Sequence, residues 1–137
     1  MRRVFTVATI CFLLTGMLCR PPVKPCEQRT GGAFITFGFA NNEVMRMWFT
    51  NSTFIDTALQ YVGLDHQQTP VFERVIRGRD CDPQWSWHVD PENVHWADMT
   101  IELCDATPSL VEADLASWEG RSFCPWSAVV LSVEDRR

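Results

Sequence analysis

Four cysteines, Cys26, Cys81, Cys104 and Cys124, follow a short apolar leader, and these two features together constrain the chain more than any other. The leader opens with Arg2 and Arg3, is mostly apolar over residues 4–14 and then meets the small Gly16. The run is too short to cross a bilayer and has the form of a secretory signal. Residues 1–19 read as that signal, with Gly16 and Cys19 as alternative ends. Large Leu18 just before Cys19 argues against a lipoprotein anchor. Export delivers the chain to an oxidising space, where an even set of cysteines forms disulfides. Four cysteines allow three pairings, and their positions do not choose among them. There is no C-x-x-C and no histidine at zinc-finger distance, so disulfides are expected rather than a metal centre.

With 137 residues, 46% hydrophobic and 21% charged, the chain is sized and composed for one globular domain. Its formal charge is -5, and loss of residues 1–19 removes two arginines and no acid, giving -7. No basic cluster stands in the part expected to fold, so nucleic acid is not an expected partner. Residues 20–32 carry three prolines and a Gly-Gly pair and read as a linker; residues 33–137 read as a single domain without internal repeats.

Along that domain, residues 33–40 are a strand with Ile35, Phe37 and Phe39 on one face, and Phe34 on a second, partly covered face. Asn41-Asn42 is turn chemistry, and residues 44–50 return as the second strand of a hairpin. Asn51 is placed as the N-cap of a helix over residues 52–62, with Ile55, Leu59 and Val62 as its apolar stripe and Gly63 as its stop. Asn51-Ser52-Thr53 is also an N-glycosylation sequon, and the cap is the preferred reading. Residues 71–77, 85–90 and 95–104 are read as strands, the last with Met99, Ile101 and Leu103 facing inward. A turn at residues 90–93 is capped by Asp90. A second helix over residues 107–119 has Thr107 as cap, Pro108 in first position and Val111, Leu115 and Trp118 buried. A final strand covers residues 128–133. The order predicts an α+β fold: a mostly antiparallel sheet with two helices packed on one face, stapled by disulfides.

Four stretches, WSWHVDP at 85–91, IELCDATP at 101–108, Val111-Glu112 and CPWS at 124–127, occur in order. Together they resemble a family of small secreted domains described as calmodulin-binding-protein-like, with members in bacteria, fungi and social amoebae. Relatives read WSFHLDP, then EVCDAT, then a helix, then WCPWS, and the likeness spans about residues 33–130. In that family Thr-Asp-Pro opens the first helix, where this chain has Thr50-Asn51-Ser52. The resemblance implies that Cys104 pairs with Cys124, which leaves Cys26 to Cys81. The chain departs from the family in carrying Cys81 and in lacking a further cysteine pair between the second helix and CPWS. The family's description does not fit this chain's physics: calmodulin is acidic and takes basic amphipathic helices. Residues 52–62 and 107–119 contain no lysine or arginine, so calmodulin is not an expected partner.

The stretch WSWHVDPENVHW, residues 85–96, holds the candidate site residues His88, Asp90, Glu92 and His95. On a strand, Ser86, His88 and Asp90 share a face, which suggests a hydrolase triad. Alternate strand residues sit roughly 6.6 Å apart and project in parallel, whereas a triad converges. No G-x-S-x-G elbow occurs. No catalytic residue is therefore assigned, and whether the chain is an enzyme stays open, with the balance towards not. The preferred reading makes Trp85 and Trp87 core anchors, His88 a bond to a neighbouring strand or to Asp90, and Asp90 a turn cap. A ligand or calcium site using His88, Asp90, Glu92, His95 and Asp98 is the alternative, without an EF-hand loop behind it; no cofactor is expected. Glu102, Asp105 and Glu112 form an acidic group around the second helix that helix-dipole stabilisation explains.

These readings predict a secreted, non-enzymatic binding domain whose partner is an extracellular protein, glycan or small ligand. A small secreted hydrolase or metal-dependent enzyme using His88 with Asp90 or Glu102 is one alternative, and a secreted inhibitor or effector is another.

Overall fold

The computed structural model describes residues 24–137. The leader, with its signal reading and its cysteines, lies outside the described residues. In chain order the elements are β1 (Ala33–Gly38), β2 (Val44–Phe49), α1 (Ser52–Tyr61), β3 (Thr69–Phe72), β4 (Val75–Arg77), β5 (Trp87–Val89), β6 (Val94–Ala97), α2 (Pro108–Ala113), α3 (Leu115–Trp118) and β7 (Val129–Asp135). Short 3-10 turns occupy Cys26–Gln28 and Glu102–Cys104. Every strand pair is antiparallel, in a three-stranded sheet ordered β2-β1-β7 and two ribbons, β3-β6 and β4-β5. The fold is α+β, and two disulfides, Cys26–Cys81 and Cys104–Cys124, staple it.

The β1–β2 hairpin forms as its alternation demands, with Asn42 in the left-handed region at φ 61°. Ile35 and Phe37 face Met47 and Met45 across the register, and all four are buried. Met45 and Met47 are therefore core. On the sheet's other face Phe34 meets Trp48, ring centroids 4.7 Å apart. Arginines cover that face: the Arg46 and Arg136 guanidiniums lie 3.6 and 4.9 Å from the centre of Phe34. The chain passes so close here that a Cβ on Gly32 would collide with the Phe49 carbonyl oxygen.

Asn51 caps α1, its side-chain oxygen accepting from the Phe54 N–H at 3.0 Å. The buried stripe is Phe54, Ile55 and Ala58, not Ile55, Leu59 and Val62; the last two are each 43% exposed. Phe54 turns the helix. Its ring stacks on Trp96 at 4.6 Å, and the Trp96 indole N–H donates to the Phe54 carbonyl at 3.1 Å.

The strand read over residues 71–77 is broken at Glu73-Arg74, so that Phe72 and Val75 both enter the core. The segment after α3 accounts for the break. Phe123 exchanges two 2.9 Å backbone bonds with Phe72, and Val75 bonds to Gly120 and Arg121. Phe72 thus becomes the hub of an aromatic cluster with Phe37, Phe49, Phe54 and Phe123, its centroid distances running from 5.7 to 6.2 Å.

The strand expected over 95–104 ends at Ala97, opposite Thr69, the first residue of β3. Met99, Ile101 and Leu103 point outward, 88%, 66% and 73% exposed, which reverses the inward assignment. Beyond Ala97 no strand remains to pair with, and Cys104 is drawn instead to Cys124, whose N–H donates to the Cys104 carbonyl at 2.7 Å. The second helix divides at Asp114, φ -137°, yet Val111 and Leu115 stay buried and Trp118 packs on the core. The Thr107 side chain does not cap it. Glu43, from the β1–β2 turn, accepts from the Ser109 N–H at 2.9 Å instead.

Candidate functional site

β5 carries the residues that sequence singled out, and its register against β4 decides their neighbours. Trp85, Trp87 and Val89 are buried on one side. Ser86, His88 and Asp90 leave the strand on the other and go to three separate partners. The Ser86 hydroxyl donates to Glu112 of α2 at 2.7 Å, and the Ser86 N–H donates to the same carboxylate at 3.0 Å. His88 Nδ1 lies 2.7 Å from the Gly78 carbonyl; an oxygen acceptor requires Nδ1 to carry the proton, which leaves Nε2 as the second ring nitrogen. No hydrogen bond joins His88 to Asp90 or to Ser86 among the described residues, so no acid–base relay is assembled.

Asp90 is the one buried charged residue among the described residues. It stands where β4–β5 gives way to β3–β6. One carboxylate oxygen accepts from the N–H groups of Glu92 at 3.1 Å and Asn93 at 3.3 Å. The other accepts from the Asn93 amide at 3.0 Å and the Arg74 guanidinium at 2.9 Å. Burial pushes its pKa upward, but the bonds from Asn93, Glu92 and Arg74 together outweigh it and bring the carboxyl down to about 2. A general acid or base needs a pKa near the working pH, and this one is tuned away from it. Four donors already occupy its oxygens, so Asp90 is built to hold a turn.

The remaining candidates lie apart. Glu92 accepts from the Thr50 hydroxyl at 2.5 Å. His95 Nδ1 lies 3.2 Å from Glu73 on the exposed face of β6, bordering a 380 Å³ pocket with Asn51, Thr57 and Trp96. The Asn51 amide nitrogen, the atom glycosylation would modify, donates to the Glu92 carbonyl at 3.1 Å. Asp98 accepts from Gln68, and Asp105 accepts from the Trp126 N–H. Neither these carboxylates nor Glu92 and Asp90 converge into a cation cage. Among the described residues one grouping has metal-like proximity, Cys26, Asp80 and Cys81, but its two sulfurs are bonded to each other and offer no thiolate.

A cavity of 570 Å³ lies where His88 opens to the surface. The N-terminal arm supplies Lys24 and Arg29, the loop after β4 supplies Arg79 and Asp80, and Trp48 and Val89 also line it. The Cys26–Cys81 bridge joins arm and loop, Cα atoms 5.6 Å apart. Beside it Arg29 donates to both oxygens of Asp80, one bond at 2.9 Å. Lys24, Arg29 and Arg79 were not legible as site residues. Two belong to a stretch read as linker and the third lies between two expected strands, and the only hint was basic charge within three residues of a cysteine.

Residues 32–137 match the family described as the BP-74 N-terminal domain. No curated protein and no solved structure matches the chain.

Proposed function

The chain belongs to the BP-74 N-terminal domain family, and we propose that this member is an exported, non-enzymatic binding domain whose ligand occupies the 570 Å³ cavity beside His88. The carrying observation is a division of labour within WSWHVDP. Ser86 and Asp90 are engaged by structural bonds, while His88 lines the 570 Å³ cavity with its Nδ1 held by Gly78 and its Nε2 in no hydrogen bond among the described residues. A volume of this size lies in the range of small-molecule sites, roughly 300–1,000 Å³. Two disulfides suit a small domain that works outside the cell, as does the leader's secretory pattern. Calmodulin is not part of this reading: α1, α2 and α3 carry no basic residue for it to grip.

The test is an amide-resolved NMR titration of the disulfide-bonded protein with small-molecule and glycan fractions of extracellular medium. Expected are shifts clustered at Lys24 to Thr30, Arg79, Asp80 and His88, with the ligand recovered unchanged. Shifts confined to the His95 pocket, or a ligand returned chemically altered, would contradict the reading.

A further inference from the structure

Charge pairing across the molecule narrows what the cavity takes, on the premise that it is the binding site. The chain is acidic, and most of the arginines among the described residues are matched: Arg29 with Asp80, Arg46 with Glu134, Arg74 with Asp90, Arg77 with Glu119, Arg136 with Glu134, and Arg137 with Asp135 and Asp56. Among the described residues, Lys24, Arg79 and Arg121 form no ion pair, and residues 1–23 contain no Asp or Glu that could supply one. Arg121 lies over the Trp118 ring at 5.7 Å, away from the cavity. The other two unmatched cations line the same cavity.

Their meeting there is imposed covalently. Lys24 stands two residues before Cys26 and Arg79 two before Cys81, so the disulfide brings both to one rim against their mutual repulsion. Asp80, the one carboxylate in the lining, has both oxygens engaged by Arg29 and does little to neutralise them. His88 adds a third group on the strand side, its Nδ1 held by Gly78.

We propose that this cavity binds a sulfate or phosphate ester, with Lys24 and Arg79 taking the tetrahedral oxyanion and His88 bordering it on the strand side. Arginine and lysine donors to such oxyanions form charge-assisted bonds, about twice as strong as neutral ones. The volume far exceeds a bare ion, so the organic body of the ester lies along Val89, Pro91 and the edge of Trp48. Binding needs no chemistry at the ester bond.

Isothermal titration of the full disulfide-bonded protein at low salt decides the matter, with glucose 6-sulfate, glucose 6-phosphate, inorganic sulfate and glucose as probes. At least one ester binds, more tightly than inorganic sulfate, and the stronger of the two identifies the head group. Lys24→Gln and Arg79→Gln each weaken that ester about tenfold, while Arg121→Gln leaves it unchanged. The proposal is overturned if no ester binds, or if both cavity substitutions leave affinity intact. Binding of glucose at the cavity without the esters overturns the anion assignment and spares the binding reading. Release of free glucose from either ester overturns the non-enzymatic reading itself.

Discussion

Arg29 grips both carboxylate oxygens of Asp80 directly beside the bond between Cys26 and Cys81. A segment with the composition of a linker is thereby locked to the loop between β4 and β5, and residues of both line the cavity. A 55-residue separation makes this the longer of the two closed loops, against 20 for Cys104–Cys124. Chain entropy then assigns about 4 kcal/mol to the first and about 3 kcal/mol to the second. Urea unfolding of the Cys26→Ser/Cys81→Ser and Cys104→Ser/Cys124→Ser variants should show losses of that order, and the first pair alone should abolish ligand binding at the cavity.

Asp90 predicts how acid acts on the fold. Its folded pKa of about 2 lies below the ordinary carboxylate value of 3.8. A depressed pKa contributes stability that is fully present above pH 4 and disappears as pH falls towards 2. The shift corresponds to about 2 kcal/mol. Asp90→Asn should therefore lower unfolding free energy by about that much at pH 7, and the gap between variant and wild type should close by pH 2. A gap that persists at pH 2 would place the effect in packing instead.

Asn51 uses both ends of its amide, accepting from Phe54 and donating to Glu92. Asn51→Ala should cost about 1 kcal/mol in thermal unfolding. Intact mass of protein secreted from a glycosylating host should show this asparagine unmodified.

Gly32 sits where a methyl group has nowhere to go, against the Phe49 carbonyl oxygen and 2.6 Å from the Trp48 ring. Gly32→Ala should destabilise by roughly 1–3 kcal/mol, as overpacking does, read from urea unfolding followed by tryptophan fluorescence.

The outward loop gives the opposite expectation. Ile101→Ser and Leu103→Ser should each change stability by less than about 0.5 kcal/mol in the same unfolding assay, whereas Val111→Ala, at a fully buried position, should cost more than either.

The elements read correctly from sequence are those whose signals are local. The β1–β2 alternation, the Asn51 cap and the spacing of Val111, Leu115 and Trp118 all work within a few residues. Asp90 as a turn cap belongs with them. What escaped was set by distant partners. Leu103 alternates with Ile101 as a strand residue would, but β3 begins at Thr69, opposite Ala97, and leaves it no partner there. Leu59 lies on a plausible stripe, yet Trp96 across the core selects Phe54. Glu43 caps α2 from 66 residues away, which no local pattern announces. The cavity was illegible for the same reason: Lys24 and Arg79 meet only through a disulfide whose pairing spacing left open.

The most direct test is a non-reducing peptide map, with thiol count and N-terminal sequencing, of protein recovered from the medium of expressing cells. The account predicts a chain shortened at its leader, Cys26 linked to Cys81, Cys104 linked to Cys124 and no free thiol. Recovery of the full-length reduced chain within cells, or Cys26 bonded elsewhere, would contradict it.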